Sequence, residues 1–127
     1  MFRTRSVLVA ISMLVSAIVV MGADLSGIWV GKLSPPGGDQ ENFLLMLTQN
    51  GTSVTGTAGA NESDRHPLEK GTVQGDRLTF EVRNPNGTLF FDLKANGDEI
   101  NGTLTFKSGE QVLGTARVSV KRSTGRG

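Results

Sequence analysis

The sequence predicts an all-β protein in which eight antiparallel strands follow one another up and down and close into a small barrel. Apolar and polar residues alternate through most of the chain after residue 24, and no long segment has helical spacing. Tight-turn sequences such as Asn96-Gly97-Asp98 separate the alternating segments. Glycine supplies 17 of 127 residues and often precedes threonine inside a segment, which is typical of strands that bend strongly.

Eight segments carry this strand pattern. They cover residues 25–33, 42–49, 52–59, 67–73, 77–83, 88–95, 99–106 and 111–121. Within a segment the alternation assigns faces, so that Leu78, Phe80 and Val82 point to one side of their strand. Gly102 and Gly114 fall on the same face as apolar neighbours, and we expect them to relieve crowding inside the barrel.

The connections between these segments predict two different ends. Consecutive connections of an up-and-down sheet lie at opposite ends, and the longer ones are the first, third, fifth and seventh. They cover residues 34–41, 60–66, 84–87 and 107–110. The remaining connections are short Asn-Gly or Gly-Asp turns. One end is therefore expected to be compact, and any binding site is expected among the longer connections at the other.

The N-terminal segment is predicted to be a secretory signal peptide over residues 1–23. Arg3 and Arg5 precede an apolar run at 7–21, and two small residues follow it. The alternative is an uncleaved membrane anchor, although the run is shorter than the about 20 apolar residues of a spanning helix. We therefore expect a secreted or periplasmic protein with no membrane span after signal cleavage.

Composition narrows the function of the remaining chain, a barrel domain at 24–122 and a flexible tail at 123–127. Without Arg3 and Arg5, 11 of the 13 basic residues remain against 12 acidic ones, which predicts no nucleic-acid partner. The chain has no cysteine, so disulfides and thiolate metal sites are excluded. The composition favours a bacterial exported protein whose stability depends on packing alone.

Few residues have the chemistry that catalysis requires. His66 is the only histidine, and both cysteine and tyrosine are absent. Asp39, Glu41, Glu62 and Asp64 could supply oxygen ligands at the same end of the barrel, but their spacing matches no cation-binding loop. We therefore predict no enzymatic activity, no metal site and no cofactor. Arg65 and His66, in the predicted connection at 60–66, are candidates for contacting a ligand at the open end.

A short motif links the chain to a known group of barrels. Gly27-x-Trp29 at the start of the first strand resembles the lipocalin signature, and together with Val54-Thr55-Gly56-Thr57 it is similar to the opening of the avidin family. Both belong to the calycin-like barrels, which include small exported bacterial proteins. The resemblance implies that Gly27 and Trp29 plug the closed end and that Arg122 packs over the indole. With one tryptophan and no tyrosine, the chain lacks the walls of a biotin pocket.

Two functions remain open at this point. In the first, the barrel binds a small apolar ligand, with Arg65 and His66 at its entrance. The candidate lining residues are Leu33, Phe43, Leu45, Phe80, Val82, Leu89, Phe91 and Phe106. In the second, a solid-core structural or protein-interaction module associates weakly through Leu44 and Met46, because their strand is apolar on both faces. A cavity of a few hundred Å³ at the open end would favour the first function.

Overall fold

The computed structural model describes residues 24–123. The predicted signal peptide at 1–23 and residues 124–127 of the predicted tail lie outside the described residues. Ser123, the first residue of that tail, donates its N–H to the C=O of Ile28 at 2.7 Å. The last strand ends at Arg122, the predicted boundary of the barrel domain, and this hydrogen bond holds the next residue against the sheet.

The described chain is built from nine β-strands. They are β1 (Gly27–Ser34), β2 (Glu41–Asn50), β3 (Ser53–Asn61), β4 (Asp64–Pro67), β5 (Glu69–Gln74), β6 (Arg77–Asn84), β7 (Gly87–Asn96), β8 (Glu99–Ser108) and β9 (Gln111–Arg122). Within residues 24–123, no helix is long and apolar enough to cross a membrane.

The strands form one closed antiparallel barrel. Consecutive strands pair with each other, with one exception: β4 does not pair with β5. These two short strands follow one another in the same place in the sheet, and β5 pairs with β3 and β6. The ring closes because β1 pairs with both β2 and β9. Counting β4 and β5 as one interrupted strand, the barrel has eight strands, and the predicted fold class is confirmed.

The interruption of the fourth strand has a local cause. Lys70 has a positive φ of 56°, and the register with β6 shifts between Glu69 and Thr72. Such a bulge bends the strand, so β4 runs along β3 alone. Pro67 lies in β4, and its missing N–H cannot form a further ladder hydrogen bond.

The predicted connection at 60–66 is wrong in length. β3 continues to Asn61 and β4 begins at Asp64. The side chain of Asn61 accepts hydrogen bonds from the backbone N–H groups of Ser63 (2.8 Å) and Asp64 (3.1 Å). This Asx turn replaces the expected loop and places Arg65 and His66 on a strand.

The interior is filled from the closed end to the middle of the barrel. No polar or charged side chain is buried in the described chain. The largest fully buried side chains are Trp29, Leu25, Leu45, Leu78, Leu93, Ile100, Val118 and Val120. In the middle, the Phe91 ring stacks on Phe80 at 4.5 Å and on Phe43 at 5.5 Å between centroids.

The closed end is plugged by Trp29, which has no exposed surface. Its indole Nε1 donates to the C=O of Leu25 at 2.9 Å. The guanidinium of Arg122 lies 4.4 Å from the ring centroid, and it donates to the C=O of Ser26 at 2.9 Å. Gly27 has a φ of +135°, and a Cβ there would lie 3.3 Å from Arg122. The expected contact between Trp29 and Arg122 is confirmed.

The two inward glycines singled out in the sequence have different surroundings. A Cβ at Gly102 would lie 2.6 Å from the Cα of Leu93, so this glycine does relieve crowding. A Cβ at Gly114 would meet nothing within 4 Å, and the expectation for this residue is wrong. β9 continues past the end of β1 at this point, where no opposing strand approaches it.

An ion pair on the outer wall makes stability depend on pH. Arg77 donates two hydrogen bonds of 2.8 Å to Asp92, and the hydrogen bond from Arg77 holds the pKa of Asp92 below its usual range. A carboxyl group whose pKa is lower in the folded than in the unfolded state stabilises the folded protein at pH values above the unfolded-state pKa. This contribution to stability is lost as the pH falls through the folded-state pKa. Both side chains are more than half exposed, so the effect is small.

We expect Asp92→Asn to lower the melting temperature slightly at neutral pH and to leave it unchanged in strong acid. Thermal melts of the original protein and of Asp92→Asn over a range of pH values measure the difference between their melting temperatures. Asp39→Asn is the matched control, since Asp39 is exposed and forms no ion pair within residues 24–123. A difference that persists in acid would contradict the ion-pair interpretation.

Candidate functional site

A cavity of about 190 Å³ opens at the end of the barrel opposite Trp29. Six strands contribute to its wall, from β1 to β4 together with β6 and β7. The lining residues are Leu33, Glu41, Asn42, Phe43, Ala58, Gly59, Ala60, Asp64, His66, Val82, Leu89 and Phe91. The cavity is therefore apolar inside and polar at its rim.

The wall contains most of the apolar residues predicted to bind a ligand. Leu33, Phe43, Val82, Leu89 and Phe91 all line the cavity. Because the stacked rings of Phe43 and Phe91 fill the barrel's middle, the cavity ends there and does not reach the closed end.

Three residues predicted to bind the ligand do not line the cavity. Leu45 and Phe80 are buried in the filled core and do not line the cavity. Phe106 is half-buried and is also not among the lining residues. Its strand partner is Gly114, in the part of the β8–β9 hairpin that extends past β1.

The rim of the cavity carries the only histidine of the chain. His66 pairs in register with Ala58, whose side chain is buried in the core, so His66 faces the inner side of the barrel wall. Its Nε2 lies 3.1 Å from Oδ1 of Asp64, a hydrogen bond in which the ring N–H donates to the carboxylate. Both side chains remain about half exposed. They are therefore accessible to a molecule entering the cavity.

Arg65 lies on the opposite face of the same strand. It pairs with Gly59, and its Nη1 donates to the Sδ of Met46 at 2.8 Å on the outside of the barrel. The alternation of a β-strand therefore separates Arg65 from His66, although the sequence places them together. Of the two, only His66 lines the cavity.

An outer apolar patch lies beside Arg65 and consists of Ile28, Val30, Leu44 and Met46, which pair across β1 and β2. Leu44 is only 9% exposed and Met46 is half-buried, so these two residues offer less surface than the sequence suggested. Ile28 and Val30 are 37% and 46% exposed. The accessible part of the patch therefore belongs to β1.

Several rim and wall residues were not assigned to the ligand site from the sequence, although two of them, Glu41 and Asp64, were expected at the same end of the barrel; the others include Ala58 and Ala60. Glu41 pairs with Leu33 and so shares the inner face at the rim. The signal that could have placed Asp64 beside it is the Asn61-Glu62-Ser63-Asp64 sequence, which favours a tight turn over a long loop. With that turn, the alternation of β4 puts Asp64 and His66 on one face.

Hollows of about 360 and 390 Å³ also occur on the outer face of β6, β7 and β8. Threonines and charged side chains line most of them, the ring of Phe90 under Lys107 contributes to the first, and most of the charges have partners. Arg77 pairs with Asp92, and Lys70 lies 3.8 Å from Glu81. We consider these hollows a folded outer surface rather than a site.

Within residues 24–123 no group of three or more histidine or acidic side chains could hold a metal ion. Comparison with known proteins adds no assignment, because no protein-family model, no curated protein and no solved structure matches the chain. The arrangement at the open end, an apolar recess with carboxylates at its rim, is suited to non-covalent binding.

Proposed function

We propose that this protein binds a small amphiphilic molecule at the open end of its barrel, with an apolar group in the cavity and a positively charged head at the rim. The observation that carries the proposal is the recess above Phe43 and Phe91, an apolar surface that remains open to solvent in an otherwise filled barrel. Such pockets typically combine an apolar lining with a few polar groups that orient the ligand.

The size of the cavity limits the ligand. At about 190 Å³ the cavity is smaller than the few hundred Å³ named above as favouring ligand binding, and it corresponds to roughly six water molecules at about 30 Å³ each. A short alkyl chain or a single ring fits this volume, whereas a long lipid chain does not. The filled core supports the same limit, because eight-stranded barrels are only just wide enough for side chains or one small ligand.

The charge at the rim selects the head group. Glu41 and Asp64 line the cavity, and no lysine or arginine lines it. The closest cations along the chain have other partners: Lys32 donates to Asn42 at 2.8 Å, and Arg65 contacts Met46 on the outer face. An ammonium group placed at the rim would therefore meet two carboxylates and no lysine or arginine, and at Asp64 it would share the carboxylate with the hydrogen bond from His66.

Calorimetric titration with an amine, an alcohol and a carboxylate that share one short alkyl chain tests this proposal. We expect the ammonium form of the amine to bind most tightly and the carboxylate most weakly. Asp64→Asn or Glu41→Gln should each weaken amine binding roughly two- to fivefold, as exposed ion pairs do, and should leave alcohol binding unchanged. Tighter binding of the carboxylate would overturn the charge assignment.

A blocking variant tests the location of the site. Ala60→Trp places a large ring at the cavity wall without entering the core, and we expect it to abolish binding. Thr55→Trp is the matched control, because Thr55 is exposed on the same strand and does not line the cavity. Binding that survives in Ala60→Trp would exclude this cavity. Native mass spectrometry of the purified protein would identify a retained ligand.

A second candidate function is a solid-core structural or protein-interaction module. The filled interior favours it, and so do the exposed Ile28 and Val30 of the outer apolar patch, beside Leu44 and Met46. In this candidate the patch mediates weak self-association, which Val30→Lys should prevent. The absence of binding by all three alkyl ligands, together with concentration-dependent association that Val30→Lys removes, would favour the module.

We also propose that the protein acts outside the cytoplasm and is not an enzyme. The signal sequence at 1–23 supports export to the periplasm or the medium. The Trp29 plug with Arg122 supports a relationship to the lipocalin-like group, since the barrel and this contact agree with the resemblance. The intact mass of the exported protein tests signal cleavage directly: a chain that retains residues 1–23 would contradict it.

A further inference from the structure

We propose that protonation of His66 weakens binding at the open-end cavity, so that the protein holds its cationic ligand near neutral pH and releases it in mild acid. This regulation rests on the proposed function, since it concerns the same cavity and the same positively charged head group. Histidine is the side chain whose charge ordinarily changes between about pH 5 and 8. His66 is the only histidine of the chain, so a single residue accounts for the effect.

The position of His66 connects its charge to the ligand. His66, Asp64 and Glu41 all line the cavity, and Nε2 of the imidazole lies 3.1 Å from Oδ1 of Asp64. The side chains of His66 and Asp64 are 48% and 57% exposed. The ring can therefore exchange protons with solvent while it contacts the carboxylate that the ammonium head group needs.

Protonation of His66 opposes the ligand in two ways. A charged imidazolium donates a charge-assisted hydrogen bond to Asp64, which is roughly twice as strong as a neutral one, so the ammonium group must compete for this carboxylate. Protonation also changes the formal charge of the cavity lining from −2 to −1, because it adds one positive charge to the two carboxylates of Glu41 and Asp64. An alkylammonium group, like a lysine side chain, keeps its own proton throughout this pH range.

Glu41 and Asp64 are the charged groups that face His66 on the inner side of the wall. β3, which pairs with β4, contains no charged residue, and neither does the segment 87–91 of β7 beside the cavity. The charges of β6 alternate with the cavity-lining Val82 and so lie on the outer face. The other charged residues near this end, with their contacts, are Asp39, Glu62, Lys32 with Asn42, Arg65 with Met46, Glu81 with Lys70 and Arg83 with Glu69.

Calorimetric titration with a short alkylamine and with the alcohol of the same chain, at about pH 8 and about pH 5.5, tests this regulation. We expect the dissociation constant of the amine to be roughly two- to fivefold higher at the lower pH, as for exposed charge pairs. The alcohol should bind equally at both. This window lies above the range in which carboxyl groups ordinarily titrate, so the carboxylates stay charged.

His66→Gln separates the imidazole from the rest of the rim. Glutamine keeps an N–H donor for Asp64 but does not titrate, so the variant should bind the amine equally at both pH values. Arg65→Gln is the matched control, because it places the same residue at the neighbouring position of β4, on the outer face, and should keep the pH dependence. Circular dichroism would verify that both variants keep their fold.

Nuclear magnetic resonance of the imidazole provides a second measurement, since the signals of a single histidine need no assignment among several. Coupling between two binding events is reciprocal, so a ligand that binds the neutral form more tightly must oppose protonation. Saturating amine should shift the midpoint of the ring's titration to lower pH by roughly 0.3–0.7 pH units, the logarithm of the same two- to fivefold factor. Saturating alcohol should not shift it.

Two outcomes would overturn this regulation and leave the proposed function intact. One is amine binding that is equally tight at both pH values. The other is a pH dependence that persists in His66→Gln, which would assign it to another group. If neither the amine nor the alcohol bound at the higher pH, the proposed function would be wrong and the regulation with it. The two failures are therefore distinguishable in one set of titrations.

Discussion

Trp29→Ala is expected to destabilise the protein by about 3–5 kcal/mol, as large-to-small substitutions of buried aromatic residues do. The indole has no exposed surface and lies at the closed end under Arg122. Its removal leaves a cavity and also the C=O of Leu25 without its donor. Since a domain of this size is typically stable by about 5–15 kcal/mol, a large share of the stability would be lost.

Urea denaturation, monitored by far-ultraviolet circular dichroism, measures this loss of stability. The method does not use the fluorescence of the indole, which the variant lacks. Val30→Ala is the matched control: it changes the next residue of β1, whose side chain is 46% exposed, and should alter stability by less than about 0.5 kcal/mol. If Trp29→Ala lowered the free energy of unfolding no more than the control does, the result would contradict both the burial of Trp29 in the core and its role as the plug of the closed end.

Gly31→Ala is expected to destabilise the protein by about 3 kcal/mol, because the added methyl group has no space. A Cβ at Gly31 would overlap the C=O of Ser119 and lie 2.6 Å from the Cα of Val120. These are backbone atoms of β9, so the two strands that close the barrel would have to separate. Separation weakens the hydrogen bonds of the β1–β9 ladder as well as the packing beneath it.

Gly114→Ala provides the matched control, since it adds the same methyl group to a strand glycine of β9. Nothing lies within 4 Å of that position, and its backbone is not in the positive-φ region. We expect this variant to be neutral or up to about 1 kcal/mol more stable, because alanine reduces the freedom of the unfolded chain. Equal losses in the two variants would show that crowding at Gly31 is not the cause.

Local pattern was enough to predict most of the strands and most of their faces. The alternation in β6 predicted that Leu78, Phe80 and Val82 face the core, and all three are buried. Local pattern was less reliable where backbone geometry departs from a regular strand. The bulges near Lys70 and Leu113 each add a residue that composition does not reveal, and each redirects the backbone beyond it.

The candidate site was predictable only in part, for a related reason. Its apolar wall consists of alternating residues such as Phe43 and Phe91, which the sequence identifies as inward-facing. The rim depends on whether residues 60–66 form a loop or a strand, and that choice separates Arg65 from His66. Sequence proximity therefore grouped two residues that the strand places on opposite faces.

The sequence by itself determined the fold class, the eight-strand order and the inward faces, because a strand's period of two is a local property of the chain. Only the tertiary structure decided how far the interior is filled and where the edge of β9 is exposed. Those features depend on which distant side chains meet across the barrel and on strand lengths in the closed ring. Neither the packing of the interior nor the relative strand lengths can be predicted from one segment alone, because both depend on how several segments meet in the folded chain.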